Sequence, residues 1–295
     1  MNKLVVITGT NASGKSGLGV ELAKRFNGEI VSADSRQVFE GLDLGSGKIT
    51  KEEMQGIPHY MIDVAKPNDF FSLKDYQTGA YEAIDNIQSR GKVPFLVGGT
   101  GLYINSVVDG YNLTDAKPDL KLREEIEAKS REEIIEELKI RNPQALETVD
   151  VFNKRRLERC LEKSLAGYTT ENASKPKYEV LEIGVTWQRQ VLYDRIKERL
   201  DRRLSEGMID EVISLRREGA TDDFLYKLGL EYRYILMYLR DEFPDYDAFY
   251  NKLFMEIRHL AKEQMTWFRK RSNINWIDME NDPERDASHL IERFL

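Results

Sequence analysis

The chain has 295 residues, of which 41% are hydrophobic and 32% are charged, and its formal net charge is −7. This length allows one large domain or two modest ones, and the acidic balance is unlike the basic composition of many nucleic-acid binders. With one cysteine, the chain has neither an internal disulfide nor a cysteine-based zinc site. We expect no signal peptide and no membrane span, and therefore a cytoplasmic protein.

The first predicted elements are a strand, a glycine-rich loop and a helix. The apolar run LVVIT (4–8) leads into GTNASGKS, from Gly9 to Ser16, and a helical pattern follows. This spacing is typical of a loop that binds phosphate groups, in which glycines let backbone N–H groups face one anion. Lys15 adds a positive charge and Ser16 a hydroxyl ligand for Mg²⁺. A chance match is the alternative, and the flanking strand and helix argue against it.

Two further strands follow, at EIVSADS (29–35) and VPFLVGG (93–99), with a helix between them. Ser72 is the expected N-cap of that helix, and Gly91 is expected to end it. The second of these strands has no charged residue, which predicts burial on both faces. Alternating strands and helices predict an α/β fold with a doubly wound parallel sheet, like that of the P-loop NTPases.

The ends of these strands carry the candidate chemical groups. The strand at 93–99 ends in Gly98-Gly99 and is followed by Thr100, without the acidic residue that an NTPase uses to hold its metal, so the chain is poorly equipped for γ-phosphate hydrolysis. Thr100 is either a donor to a phosphate oxygen or a plain helix N-cap. Asp34 is either an acid–base group or the cap of a turn. We interpret GLDLGSGK (41–48) as a surface loop and His59 as a loop or packing residue.

From about residue 113 the strand signals stop. Ser130 and Glu133 have capping-box spacing, and Asn142 with Pro143 predicts another helix start. A basic amphipathic helix follows and ends near Gly167. We therefore predict a helical insertion at 113–176, within a core formed by 1–112 and 177–295. In that core, KYEVLEIGVTW (177–187) is expected to return to the sheet, helices to fill 188–271, and INWID (274–278) to add an edge strand.

Three stripes of basic residues stand out in this acidic chain. Arg195 and Arg199 are four residues apart and share a helix face. Such a stripe is either solvated surface or a phosphate clamp. The other two stripes lie in the insertion and on the last long helix; they comprise Arg155, Arg156, Arg159 and Lys163, and Arg258, Lys262 and Arg269.

Taken together, GTNASGKS, SADSRQVFEGLDLGSGK, IPHYMID, VPFLVGGTGLY and AKEQMTWFRKR…NWID resemble the tRNA dimethylallyltransferases, also called isopentenyltransferases. The resemblance is close over the first 110 residues, moderate over about 180–280, and limited in the insertion to its basic helix. It implies transfer of a dimethylallyl group from dimethylallyl diphosphate to N6 of the adenosine 3′ of the tRNA anticodon, with diphosphate released.

The resemblance also implies roles for individual residues. Asp34 falls on the general base, and Thr100 and Arg199 fall on catalytic positions near the diphosphate. The expected diphosphate-binding loop comprises Gly9, Thr10, Asn11, Ala12, Ser13, Gly14, Lys15 and Ser16. Ser16 is the expected Mg²⁺ ligand. Expected contacts with the tRNA anticodon stem-loop comprise Asp34, Ser35, Arg36, Gln37, Arg155, Arg156 and Arg159. A monomer is expected.

Two residues depart from the family pattern. Glu231 stands where the family usually has glycine, and Glu263 stands where it is usually basic. Both departures bear on tRNA binding, and the insertion is also somewhat short. The catalytic positions show no such change.

Other functions remain open at this stage. A P-loop small-molecule kinase shares the loop and an aspartate after the second strand, but it usually lacks a basic insertion. Prenylation of free AMP or ADP is compatible with the same residues. A nucleotide-regulated RNA-binding module would not need a base such as Asp34. The sequence does not determine whether ATP binds the loop, which tRNAs are used, or what Arg195 does.

Overall fold

The computed structural model describes residues 2–113, 119–167 and 174–295. These residues form two compact units. Unit 1 comprises Met1–Tyr111 and Lys175–Leu295, and unit 2 comprises Asn112–Ser174.

Unit 1 is built on a six-stranded sheet in the order β3-β2-β4-β1-β5-β6, in which every neighbouring pair is parallel. Its strands are β1 Lys3–Gly9, β2 Gly28–Ala33, β3 His59–Tyr60, β4 Val93–Gly98, β5 Glu179–Thr186 and β6 Ile274–Asp278. The predicted doubly wound parallel sheet is confirmed, including the edge strand at 274–278. β3 was not predicted, because a strand of two residues is too short to show an alternating pattern.

The helices of the described residues follow the chain order of the sequence. They are α1 Lys15–Arg25, α2 Lys51–Met54, α3 Leu73–Ser89, α4 Gly101–Val108, α5 Leu120–Glu127, α6 Arg131–Arg141, α7 Ala145–Thr148, α8 Lys154–Leu165, α9 Arg189–Ser205, α10 Met208–Arg217, α11 Asp222–Leu228, α12 Leu230–Tyr238, α13 Tyr246–Phe268 and α14 Pro283–Phe294. In these ranges, none combines the length and apolar character needed to cross a bilayer.

Successive residues of the central strands point to opposite faces, and both faces are buried. Leu4 and Val6 of β1 belong to a core formed with α3, α4 and α9 to α13. Val5 and Ile7 belong to a second core, formed with α1 and α14. Burial on both sides explains why these strands read as continuous apolar runs.

Local sequence signals set most helix ends. Ser72 is the N-cap of α3, as expected, and also forms a capping box with Asp75. Ser130 and Glu133 form the expected capping box of α6. Asn142 was predicted to begin a helix, but it is the residue that ends α6. Its Oδ1 accepts a hydrogen bond from the backbone N–H of Ala145 at 3.3 Å. The next helix therefore begins at Ala145.

Unit 2 is helical in its described residues. Ile126, Ile134, Leu138, Leu157 and Leu161 form its buried core. Leu157 and Leu161 are four residues apart, so α8 buries one stripe and leaves its basic residues on the remaining surface.

The strand order of unit 1 brings the candidate groups together. β2, β4 and β1 are neighbours and run parallel, so their carboxyl ends share one edge of the sheet. Asp34 follows β2, Thr100 follows β4, and the glycine loop follows β1. Ligands of open α/β sheets bind at this edge.

Candidate active site

The loop Gly9–Ser16 turns from β1 into the N-terminus of α1. Gly14 has φ +84°, a conformation that glycine adopts without strain. A Cβ on Gly9 would lie 2.6 Å from Cγ2 of Val185, so only glycine fits here. The unpaired N–H groups of the first helical turn give this end of α1 a partial positive charge. The loop therefore has the geometry of an anion site.

Two side chains of the loop carry buried polar atoms without a hydrogen-bond partner among the described residues. They are Oδ1 of Asn11 and Oγ of Ser13. Buried polar atoms in proteins are nearly always paired, and an unpaired one costs about 1–3 kcal/mol. A ligand oxygen that accepts from the Ser13 hydroxyl would relieve its part of this cost, whereas Asn11 Oδ1 requires a donor.

Residues from the end of β5 and from helices α9 and α13 hold the loop in place. Trp187 Nε1 donates to the carbonyl of Ser13 at 2.8 Å, and Arg195 Nε donates to that of Ala12 at 3.0 Å. The Arg195 guanidinium also lies 4.4 Å from the Trp187 ring centroid. Arg195 is thus a positioning residue rather than solvated surface.

Gln264 of α13 connects the glycine loop to the end of β4. Its Oε1 accepts from the backbone N–H of Asn11 at 2.8 Å, and its Nε2 donates to the carbonyl of Gly99 at 3.0 Å. This one amide therefore fixes the spacing between the loop and the end of β4.

Asp34 and Thr100 lie side by side at the sheet edge. Asp34 Oδ1 accepts from the backbone N–H groups of Arg36 at 2.9 Å and Gln37 at 3.4 Å, so Asp34 does cap the following turn. In the described part of the chain, no hydrogen bond reaches Oδ2, which leaves one oxygen for proton transfer. Thr100 is the N-cap residue directly before α4, but its side chain makes no capping hydrogen bond. Its Oγ1 accepts from the backbone N–H of Ser35 at 3.1 Å.

A cluster of cations lies near Asp34, in which Lys15 and Arg199 are half-buried and Arg203 is buried. Burial lowers the pKa of Lys15 to about 8, and Arg199 and Arg203 add to this effect while Asp34 opposes it. Burial likewise lowers the pKa of Arg199 to about 9, with the charge of Arg203 as the next cause. Arginine stays protonated at neutral pH. The cluster therefore holds desolvated positive charge that an anion would stabilise.

The stretch 41–48 is not the surface loop that its sequence suggested. The Glu211 carboxylate accepts the backbone N–H groups of Asp43, Leu44 and Gly45 at 3.1, 2.5 and 3.0 Å. The carbonyl of Gly47 accepts from Arg199 Nη2 at 3.2 Å, which places this segment over the cation cluster. The sequence suggested exposure because this segment has no apolar pattern. Its contacts in the structure are made by backbone groups, which leave no such pattern in the sequence.

The residues after Asp34 also face this region. Gln37 Nε2 donates to the carbonyl of Gly47 at 3.3 Å. Arg36 Nε is buried and has no partner among the described residues. His59 is uninvolved, since its Nδ1 lies 2.8 Å from the carbonyl of Ile57 and burial lowers its pKa.

The basic helix α8 belongs to unit 2. Arg155 and Arg156 are exposed, and within the described ranges neither forms an ion pair. Arg159 is half-buried and is paired with Glu162. The third basic stripe is less uniform, because Arg258 lies over Tyr193, at 4.0 Å from the ring centroid, while Glu263 pairs with His259 at 3.2 Å.

The described residues contain no group of three or more His, Cys, Asp or Glu side chains that could hold a metal ion. Ser16 is exposed at the start of α1, beside the cation cluster. This donor set fits a metal that arrives with a phosphate ligand, and it does not fit one held by the protein alone.

The sequence did not reveal the roles of Trp187, Arg203, Glu211 or Gln264. Arg203 continues the i, i+4 spacing of Arg195 and Arg199, which was an available signal. Gln264 lies in a stretch that carried the family resemblance. The Glu211 contacts join residues more than 160 positions apart and left no local signal.

Comparisons with known proteins are consistent with this geometry. A sequence model described as IPP transferase matches residues 37–271. The tRNA dimethylallyltransferase 2 of Citrifermentans bemidjiense is 42% identical over 295 residues, covering 98% of this chain and 95% of that protein.

Solved structures give the same result. The tRNA isopentenylpyrophosphate transferase of Bacillus halodurans is 38% identical with a TM-score of 0.76, covering 100% of this chain and 95% of that one. A eukaryotic dimethylallyltransferase described as acting on tRNA has a TM-score of 0.82 at 22% identity, covering 99% of this chain and 79% of that one. The latter likeness concerns the fold alone.

Proposed function

The chain belongs to the IPP transferase family, and we propose that it transfers a dimethylallyl group from dimethylallyl diphosphate to N6 of the adenosine 3′ of the anticodon in tRNA. The observation that carries this proposal is the set of partly buried cations near the glycine loop, close enough to Asp34 for its charge to oppose the lowering of their pKa values. A diphosphate leaving group needs stabilised negative charge but no machinery for hydrolysis.

The loop and Lys15 bind the diphosphate, with Arg199 as a second cationic contact. Asn11 Oδ1 and Ser13 Oγ, which are buried and have no partner in the described part of the chain, lie in the same loop. A hydroxyl such as Ser13 donates to a phosphate oxygen, whereas the Asn11 oxygen can only accept a hydrogen bond. The backbone of the loop is held by Trp187, Arg195 and Gln264 before the substrate arrives. This preorganisation reduces the cost of reorganisation during transfer.

Asp34 acts as the general base. The bond between C1 of the dimethylallyl group and the diphosphate oxygen breaks, the bond between N6 and C1 forms, and the N6 proton passes to Oδ2 of Asp34. Thr100 holds the Ser35 backbone and thereby fixes Asp34 at the sheet edge. Charge developing on the leaving diphosphate is stabilised by Lys15, Arg199 and the end of α1.

Ser16 is the residue of the loop that would hold Mg²⁺, together with diphosphate oxygens. When bound, the ion neutralises charge on the leaving group. The tRNA partner is assigned to Arg36 and Gln37 beside Asp34 and to the exposed guanidiniums of Arg155 and Arg156 on α8, with Arg159 on the same helix. To reach Asp34, the adenine must leave its stack in the anticodon loop. A monomer in the cytoplasm remains our expectation.

A small-molecule kinase is the main competing function, and ligand choice separates the two. We expect the loop to bind dimethylallyl diphosphate with Mg²⁺ more tightly than ATP with Mg²⁺, measured by titration calorimetry. Lys15→Met should abolish this binding, while Lys24→Met, an exposed lysine on the same helix, should leave it unchanged. Tighter ATP binding with release of ADP would refute the proposed function.

A further inference from the structure

Helix α9 carries a third arginine, Arg203, in series with Arg195 and Arg199. Arg195, Arg199 and Arg203 are spaced by four residues and therefore lie along one face of the helix. Arg203 is the most buried of the three, with only 7% of its surface exposed. A guanidinium is rarely buried to this degree unless it has an anionic partner.

The guanidiniums of Arg199 and Arg203 converge on Gly47. A Cβ placed on this glycine would overlap Nη2 of both arginines, and its φ of +62° also favours glycine. Arg199 uses this proximity to donate to the Gly47 carbonyl at 3.2 Å. Two positive groups thus lie side by side, and the charge of each contributes to lowering the pKa of Lys15.

Within the described ranges, the anionic partner of Arg203 is Glu231, near the start of α12. Nη1 of Arg203 lies 3.6 Å from Oε1 of Glu231, which is an ion-pair distance but too long for a hydrogen bond. Nη2 of Arg203 is buried and has no partner among the described residues. Glu231 is itself only 7% exposed, so this loose pair lies in the interior.

A purely structural ion pair in this fold looks different. Arg271 also lies against a buried glutamate, and its Nε and Nη2 bond to the Glu182 carboxylate at 2.7 and 2.6 Å. Its Nη1 bonds to Asp109 at 3.0 Å, so every nitrogen is used. Arg203 holds its glutamate without a hydrogen bond, and one of its buried nitrogens has no partner among the described residues.

We propose that Arg203 is a second arginine of the diphosphate site, and that Glu231 is its internal counter-ion, with which the diphosphate competes. This inference rests on the proposed function. The free Nη2 of Arg203 donates to a diphosphate oxygen beside Arg199, and Glu231 limits the affinity so that the diphosphate product leaves. Glu231, the departure from the family pattern, is thus assigned to the diphosphate site instead of to tRNA contact.

The test is titration calorimetry with inorganic diphosphate and Mg²⁺ on the full chain. The variants are Arg203→Met, Glu231→Gln and the double variant, with Arg271→Met as the control for loss of a buried arginine. We expect Arg203→Met to weaken binding about 10- to 100-fold, as for a lost charged hydrogen bond. Glu231→Gln should tighten binding several-fold, and only while Arg203 is present. Arg271→Met should bind like the wild type.

The double variant guards against misfolding, because it removes both charges of the buried pair. It should fold and should bind diphosphate as weakly as Arg203→Met. Unchanged binding in the double variant, or weaker binding in a folded Glu231→Gln, would overturn the inference and make the pair structural. The proposed function fails separately, if the wild type itself does not bind diphosphate and Lys15→Met makes no difference.

Discussion

At the scale of single residues, the site depends on charges kept in an interior that disfavours them. Lys15 is the clearest case, because burial lowers its pKa to about 8 from a usual value of 10.5. Its partner in the protein is the carbonyl of Thr10, at 3.1 Å, which supplies a hydrogen bond but no negative charge. The site is therefore built to gain free energy when an anion enters it.

Diphosphate affinity should consequently fall as the pH rises through about 8, because the unliganded protein then loses the Lys15 proton. The decline approaches about tenfold per pH unit for one linked proton. Calorimetry between pH 6.5 and 8.5 measures it, because this range stays below the pKa of Arg199, about 9. Lys15→Arg is the control for titration of the diphosphate itself. Its guanidinium stays charged, so the part of the decline that Lys15 causes should vanish. An identical decline in both proteins would contradict the assignment.

The same shift affects folding with the opposite sign. Between about pH 8 and 10.5 the unfolded chain keeps a proton at Lys15 that the folded protein has released. The Lys15 contribution to the free energy of unfolding therefore increases with pH across this window.

Asp34 is the proposed general base, and Asp34→Asn removes its basicity while retaining its shape. An adenine amine is a poor nucleophile because its lone pair is delocalised into the ring. We expect the variant to bind both substrates and to transfer the prenyl group at least about 10²-fold more slowly. Single-turnover rates with preformed complex isolate this step.

Asp69→Asn is the matched control for that experiment. Asp69 is also an aspartate that accepts a backbone N–H in a turn, from Lys66 at 3.0 Å, and it is exposed. It should transfer at the wild-type rate. If Asp34→Asn transfers as fast as Asp69→Asn, Asp34 is not the base.

At the scale of elements, α8 leaves Arg155 and Arg156 exposed and without an ion pair among the described residues. Arg155 and Arg156 project from a helix anchored by Leu157 and Leu161, so they can be replaced without disturbing the core of unit 2. Exposed arginines of this kind bind phosphate backbones through salt-sensitive interactions.

Arg156→Ala combined with Arg159→Ala should weaken tRNA binding while leaving diphosphate binding intact. For each arginine–phosphate interaction that the substitutions remove, the dependence of log K on log salt should decrease by about one unit. Filter binding between about 50 and 300 mM salt measures this slope. Arg131→Ala removes an arginine from the same unit, where it is paired with Glu132, and serves as control. Wild-type affinity and slope in the double variant would exclude α8 from the tRNA interface.

The sequence predicted the elements whose own residues encode them. β1, β2 and β4 were found from short runs rich in β-branched or apolar residues, α3 from its N-cap Ser72, and α6 from its capping box. The glycine loop, Asp34 and Thr100 were found because each of them lies at the end of a predicted strand or directly after it. Arg203 with Glu231 and Gln264 with Asn11 were not, because their partners lie 28 and 253 positions away. Such pairs depend on packing, which local patterns do not contain.

At the scale of the whole molecule, the chain contains a parallel sheet that carries the candidate site at the carboxyl ends of its strands, and a second, helical unit. Unit 1 contains the glycine loop, the cations and Asp34, and unit 2 contains α8. A net charge of −7 disfavours nonspecific contact with nucleic acid, so basic residues confined to particular helices are expected to select the tRNA.

The most direct measurement of the central claim is mass spectrometry of tRNA nucleosides after incubation with labelled dimethylallyl diphosphate and Mg²⁺. We predict labelled N6-dimethylallyladenosine at the position 3′ of the anticodon, with one diphosphate released for each modified adenosine. A tRNA with guanosine at that position should remain unlabelled. Label on free AMP or ADP but not on tRNA, or no label together with turnover of ATP, would contradict the account.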